Sequence, residues 1–274
     1  MAGTLYVVAT PIGNLNDISP RALEVLRRVD LIACEDTRHS QHLLGHYAIR
    51  QPLLALHQHN ERANGEALLR RLEAGESVAL ISDAGTPLIS DPGHSLTARA
   101  LERGLRVVPV VGPSSVMAAL SVAGLPADSF VFAGFIPSKA GERERFLADY
   151  RRETRTSVFF ETPHRIAASL AALAVVLGPE RLLVIGRELT KQFEEIVRLP
   201  LGEALSWLQA DPNRSRGEFV LVLAGATTVA EPWEELARAL RAEGLGAKTI
   251  SALLAQHLGA NKKAVYQYLL DRAD

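Results

Sequence analysis

The chain is 274 residues long and 47% hydrophobic, enough for about two domains with packed cores; its net charge of -1 neither demands nor forbids a nucleic-acid partner, although arginines outnumber lysines 25 to five. The single cysteine, Cys34, excludes an internal disulfide framework and a thiolate cluster for zinc. The opening MAGTLYVVATPIG enters a strand pattern almost at once, with neither a basic leader nor the long apolar run of a membrane span, and reads as a soluble, cytoplasmic protein with no membrane partner.

Short aliphatic runs then follow one another with helical stretches between them: LYVVA, LIACE, SVALI and LRVVPVV, then FVFAG, SVFFE, LLVIG and FVLVLAG. Continuous rather than alternating hydrophobicity predicts strands covered on both faces, and hence α/β layers. The helix punctuation agrees. Ser19-Pro20 and Asp91-Pro92 each put a capping oxygen before a proline suited to a first helical turn, while Gly75 and Gly104 sit where helices should stop. LLALHQ reads as a strand running into the turn that holds His59 and Glu61. LSVAGLPADS, residues 120–129, interrupts the pattern with glycine and proline and marks a joint between halves. QFEEIVRLP alternates as a half-exposed antiparallel strand does, so the second half should hold a mixed sheet. Beyond Ala230 three short helices are readable: PWEELARALRAE, KTISALLAQHLG and NKKAVYQYLLDRA. The expected division is an α/β cofactor-binding lobe over 1–120, a mixed-sheet α/β lobe over 121–228 and a helical tail over 229–274.

In open α/β sheets ligands bind beyond the carboxyl ends of the strands, and the first half offers TPIGN, EDTR, SDAGTP and GPSS there. None matches the dinucleotide glycine fingerprint or a phosphate-binding lysine loop, which disfavours a dinucleotide or triphosphate. Asp83 offers a carboxylate to a cationic or hydroxyl-bearing ligand, and Gly85 lets backbone approach it closely. Such a rim suits a sulfonium or a ribose.

The motifs YVVATPIGNLNDIS, CEDTRHS, HNE, SDAGTPLISDPG, GPSS, FAGFIPSK, FFETPHR, RELTKQFEE and RGEFVLVL occur in that order. Together they resemble the tetrapyrrole methylase superfamily, and within it the branch that methylates cytidine 2'-hydroxyls of 16S rRNA. The resemblance implies a two-lobed fold, one parallel-rich α/β lobe and one mixed-sheet α/β lobe, followed by a helix-turn-helix-like tail. It further implies S-adenosyl-L-methionine held between the lobes as methyl donor, a homodimer, and the decoding region of the small ribosomal subunit as partner. Carried over by position, the cofactor contacts are Ile12 from the first loop, Asp83, Gly85, Thr86 and Ile89 from the third, and Ser114, Ser115 and Val116 from the fourth. The second lobe adds Phe160, Arg187, Gly217 and Glu218. Ring-methylating relatives show Gly-Asp-Pro where this chain has Gly85-Thr86-Pro87, so the carboxylate of that branch is absent; Val111 stands where the rRNA branch usually has proline.

A ribose hydroxyl is a poor nucleophile at neutral pH and needs a proton acceptor. Residues with suitable chemistry are Asp36, His59, Glu61, Glu161, His164 and Lys191, of which Lys191, Glu61, His59 and Asp36 stand as catalytic candidates. Lys191 is equally able to act as a cation. Asp36 also has Arg38 as an ion-pair partner two residues on. His39, His42 and His46 share helical spacing, but no carboxylate or cysteine completes a ligand set, and sulfonium chemistry needs no metal. For RNA, Arg38 and the tail residues Lys262, Lys263 and Tyr266 are the expected contacts; 245–270 holds three lysines and no acid. The basic-rich stretch SKAGERERFLADYRRETR reads equally as a solvated helix face. Two alternatives remain on these residues: a ring methyltransferase of corrin or sirohaem synthesis, and a non-enzymatic helix-turn-helix protein that senses a ligand and binds nucleic acid.

Overall fold

A computed structural model describes residues 2–57, 60–227 and 233–270, and the chain forms two compact units, 1–226 and 227–274. The first unit opens with β1 (Thr4–Val8), α1 (Pro20–Arg28), β2 (Leu31–Cys34), α2 (Thr37–His46), β3 (Leu53–Ala55), α3 (Glu61–Glu73), β4 (Val78–Leu80), α4 (His94–Glu102), β5 (Arg106–Val110) and α5 (Ser115–Ala123). Its five strands are all parallel, in the order β3-β2-β4-β1-β5.

The apolar runs explain the layering. Leu31, Ala33, Val78 and Leu80 face α3 and α4, meeting Leu68, Leu69, Leu72 and Leu96. Their sequence neighbours Ile32, Cys34, Ala79 and Ile81 point to the other face and pack on Ala22 and Leu26 of α1 and Leu44 of α2. A strand whose successive side chains both meet helices must be apolar throughout, which is the pattern in the sequence. Cys34 is wholly buried in this packing.

The chain continues through β6 (Phe130–Phe135), α6 (Ala140–Ala148), β7 (Thr156–Glu161), α7 (Ile166–Leu177), β8 (Leu182–Arg187), β9 (Glu195–Pro200), α8 (Leu201–Gln209) and β10 (Phe219–Leu223). The second sheet runs β6-β7-β10-β8-β9; only β6 and β7 pair in parallel, and the rest is antiparallel. The mixed sheet and the half-exposed, antiparallel β9 are as the alternation of QFEEIVRLP predicts. One face of this sheet packs on α7 and α8 through Phe159, Ile185, Leu221, Leu170 and Leu208.

The other face is covered from the first lobe. Val158, Val184, Val220 and Val222 pack against Val116, Ala119, Leu120 and Ala123 of α5, joined by Ile12 and Leu189. Helix α5 therefore runs through Leu120 to Ala123 and ends at Gly124 in the left-handed region, φ 60°. Sharing this helix makes the two lobes one unit. Burying each of the valine, leucine and isoleucine side chains here contributes about 1.5–3 kcal/mol.

Two capping expectations divide. Ser19 caps α1 and accepts from the Ala22 N–H, with Pro20 in the first turn. Asp91 does not cap α4, because that helix starts at His94 and its cap is Gly93 at φ 112°. The aspartate side chain meets the Ser82 hydroxyl instead of the helix N-terminus.

The second unit consists of α9 (Glu234–Ala242), α10 (Ala247–Leu258) and α11 (Lys262–Leu270) around Trp233, Ala237, Ile250, Leu254, Val265 and Leu269. Gly259 at φ 65° ends α10, and Asn261 accepts from the N–H groups of Lys263 and Ala264 to start α11. No helix among the described residues is long and apolar enough to cross a membrane.

Candidate functional site

The loops that leave β1, β4 and β5 are stitched together. Thr10 and Gly85 exchange both backbone hydrogen bonds, at 2.9 and 3.0 Å, and the Thr10 hydroxyl donates to the Ser82 carbonyl at 3.1 Å. The Thr86 hydroxyl donates to the Pro113 carbonyl at 3.2 Å, tying the third loop to the fourth. Ser114 accepts from the Met117 N–H and starts α5. Beyond the carboxyl ends of these strands, where open α/β sheets bind ligands, lies a cavity of about 640 Å³ between the two lobes.

Asp83, Gly85, Thr86, Ile89, Ser114, Ser115 and Val116 line it from the first lobe. Phe160, Gly217 and Glu218 line it from the second, with Glu161, His164, Glu188 and Lys191. Ile12 instead lines a small adjoining hollow with Ala84, Leu189 and Val220. Arg187 is buried outside the cavity and donates to the carbonyls of Arg216, Phe193 and Asn213, so it braces the loops around β8 and β10.

The catalytic candidates separate in space. Asp36 is the cap of α2 and accepts from the Arg38 N–H at 2.8 Å; that bond and the Arg38 guanidinium hold its carboxyl below the usual range. Glu61 accepts from the Ser95 N–H at 3.0 Å and lines a different, polar cavity beside Arg62, Glu66 and Arg99. His59 lies outside the described residues. Of the three described candidates Lys191 alone lines the cavity between the lobes, and among the described residues it is the one lysine or arginine in that wall.

Lys191 donates to Glu188 at 2.8 Å and to Glu218 at 2.9 Å. Burial works against its ammonium, but these two bonds outweigh it and hold the pKa above the usual lysine value. Burial likewise raises Glu188, and the Lys191 ammonium and the Glu218 N–H together overcome it and pull the carboxyl below its ordinary range. Lys191 is thus a fixed cation at neutral pH, and its stem passes directly over Gly13 of the first loop. Glu161 is committed too: it accepts from the Ser169 hydroxyl and the Thr162 N–H and pairs with Arg165 at 3.1 Å.

Asp91 is different. It is half-buried in the cavity wall, in a loop where Leu88 and Ser90, both non-glycine, adopt φ of 74° and 68°. Such conformations are costly and persist only where surrounding structure enforces them. Burial pushes the Asp91 carboxyl up to about 6; the Ser82 hydroxyl opposes the rise, and the charges of Glu35 and Asp83 add to it. Asp91-Pro92 has the form of a helix cap, and the sign that Asp91 serves the cavity instead is its place as the second aspartate of SDAGTPLISDPG. Phe135 was also missed; Gly134, inside an otherwise strand-like run, was the available sign of a bulge. On α2 the spacing of His39, His42 and His46 is helical, and among the described residues no group of three or more His, Cys, Asp or Glu is placed to hold a metal ion.

Residues 4–205 match the family described as tetrapyrrole (corrin/porphyrin) methylases. The chain is 51% identical to the ribosomal RNA small subunit methyltransferase I of Pseudomonas aeruginosa, covering 99% of this chain and 98% of that protein. It is 48% identical to the protein of the same name from Escherichia coli O157:H7, over 98% and 96% of the two chains. Among solved structures, diphthine synthase superposes with a TM-score of 0.62 at 17% identity, covering 81% of this chain and 90% of that one. The uroporphyrin-III C-methyltransferase of Thermus thermophilus, solved with S-adenosylhomocysteine, superposes with a TM-score of 0.56 at 19% identity, covering 81% and 97%. With the family match spanning both lobes and relatives alike over almost their whole length, the chain belongs to the tetrapyrrole (corrin/porphyrin) methylase family, alongside its small-subunit rRNA methyltransferase I members.

Proposed function

We propose that the chain is an S-adenosylmethionine-dependent methyltransferase acting on the ribose 2'-hydroxyl of a cytidine in the decoding region of 16S rRNA. The observation that carries this reading is near-full-length likeness to relatives named for small-subunit rRNA. A cytoplasmic homodimer is the expected assembly, to be read by light scattering.

The residues present suit this donor. Among the described residues Asp83, Asp91, Glu188 and Glu218 face the cavity against the ammonium of Lys191, an acidic excess that favours a positively charged sulfonium. Gly85, at φ 80°, brings backbone to the wall without a side chain in the way. The donor supplies a methyl carbon already activated by positive sulfur, so positioning and proton handling fall to the protein. Asp91 takes up the hydroxyl proton as the ribose oxygen bonds the methyl carbon and the C–S bond breaks, its electron pair staying on sulfur. Lys191, held as an ammonium by two carboxylates, has no free pair to accept a proton.

Incubation with labelled donor and small subunits that lack the modification should put label on a cytidine ribose of 16S rRNA. No incorporation, while a control methylase works on the same subunits, removes the reading. Lys262, Lys263 and Tyr266 are exposed on α11 and, with Arg38, form the expected RNA contacts. In the same assay Lys262→Glu combined with Lys263→Glu should raise KM for the subunit and flatten its salt dependence; an unchanged KM excludes the tail as an RNA contact.

Lys191→Met should leave Glu188 and Glu218 without their cation. The wall then carries one more unit of negative charge, worth about 1 kcal/mol at a water-like dielectric. Affinity should shift toward the cationic donor and away from the neutral product S-adenosylhomocysteine, with the ratio of their Kd values changing about five- to tenfold. Calorimetry showing the same ratio as wild type would place the sulfonium away from this residue.

A further inference from the structure

Edge strand β6 breaks its pairing with β7 between Phe132 and Gly134, where a bulge puts Gly134 at φ 68°. Bulges beside functional sites re-aim the side chain that follows. Here that side chain is Phe135, which lines the cavity with 47% of its surface exposed. The ring is held in place. Phe160 meets it edge-on at 5.5 Å between centroids, and the Arg165 guanidinium lies over it at 5.8 Å. Arg165 is in turn fixed by Glu161 and the Thr162 hydroxyl, each at 3.1 Å.

The other phenyl rings in the wall are less available: Phe219 is buried, and Phe160 is half-buried against Phe132 and Phe135. Phe135 is therefore the flat apolar surface this cavity offers to a ligand. Its counterpart must be flat as well. To bring a ribose 2'-hydroxyl into a recessed site, a nucleotide has to leave the stack of its neighbours, at a cost of a few kcal/mol. An exposed aromatic ring replaces part of that lost stacking, worth about 1–3 kcal/mol per base.

We infer that Phe135 is the stacking platform for the unstacked base of the acceptor nucleotide, making it a substrate-positioning residue. The inference rests on the rRNA-methylating reading above. It distinguishes the acceptor base from the other planar group in the reaction, the adenine of the donor. The groups that suit the donor sit on the β4 and β5 loops, at Asp83, Gly85, Ser114 and Ser115, whereas Phe135 lies at the free edge of the other sheet.

The experiment compares wild type with Phe135→Leu and Phe135→Trp, using small subunits that lack the modification. The leucine variant should lower kcat/KM for the subunit about 5- to 150-fold, the range that 1–3 kcal/mol of stacking implies. Its Kd for S-adenosylhomocysteine should stay within about twofold of wild type, and its Tm should fall by only about 2–4 °C, because about half of the ring is exposed and leucine keeps an apolar contact with Phe160. The tryptophan variant should recover most of the loss, since it restores a π-face that leucine lacks. Cofactor affinity falling in step with activity would assign the ring to adenine and overturn the inference. Leucine and tryptophan performing alike, or leucine matching wild type, would overturn it too. Wild type acting as the in-assay control separates these outcomes from failure of the rRNA reading, in which no variant would transfer label.

Discussion

Asp91→Asn should lower kcat for subunit methylation by roughly 10²–10⁴-fold, the range a positioned general base supplies. The neighbouring carboxylates Asp36, Glu161 and Glu188 are paired with the cations Arg38, Arg165 and Lys191, whereas Asp91 meets the neutral Ser82 hydroxyl. Asp91 has a pKa raised to about 6, close to where an efficient base operates. A carboxylate accepts a proton only when ionised, and its ionised fraction falls as pH drops through that value. Wild-type kcat/KM should therefore fall about tenfold per unit below about pH 6. The asparagine variant should lack that limb. Glu35 and Asp83 on the same lobe keep the carboxyl protonated to higher pH, while Lys191, Glu188, Glu218, Glu161 and His164 complete the charged and titratable wall.

The same substitution carries a stability test with the opposite sign. Because the folded-state pKa lies above the ordinary aspartate value, the ionised form disfavours folding, and the penalty exists above about pH 6 and vanishes below about pH 4. Solvent screening of a half-buried group reduces the penalty to about 1 kcal/mol. Asp91→Asn should then melt about 2–4 °C higher at pH 8 and no higher at pH 4. A variant that is both less active and more stable fits a residue kept for chemistry at the expense of folding. Wild-type turnover in the variant, with the acid limb intact, would exclude Asp91 as the proton acceptor.

Gly217→Ala should cost about 3 kcal/mol and lower Tm by about 6–12 °C. Gly217 has φ 91°, where an L side chain costs about 1–2 kcal/mol. A Cβ there would stand 2.6 Å from Glu188 Oε1 and overlap Cγ and Cδ of the same side chain. Glu188 would have to swing away, breaking its bonds to Lys191 and to the Glu218 N–H; charge-assisted bonds contribute about 1.5–3 kcal/mol each. Donor affinity should fall with stability, since all these groups line or border the cavity. Glu188→Ala, placed in the Gly217→Ala background, removes the colliding atoms and should restore part of the Tm. Melting curves showing additive losses in the double variant would mean that the two residues do not conflict.

The layer architecture was legible in the order and kind of the residues. Runs such as LIAC and VAL are apolar at every position because both faces of a parallel strand meet helices, and the one alternating run became the antiparallel β9. Asp83, Gly85, Thr86, Ile89, Ser114, Ser115 and Val116, which the family resemblance names as cofactor contacts, line the cavity because strand-exit loops gather at the carboxyl ends of a parallel sheet. Which charges meet depends on the folded chain. Lys191 and Glu188 lie three residues apart, yet Glu218 joins them from thirty residues beyond Glu188, and local spacing holds no record of that approach. Asp36 and Glu61 had suitable chemistry but spend it on helix N-termini, whereas Asp91, in a sequence suited to capping, faces the cavity because α4 begins three residues later. Phe135 depended on a bulge that turns one ring off an edge strand. A proton acceptor or a stacking surface is defined by burial and by what lies opposite, and those are properties of the folded chain.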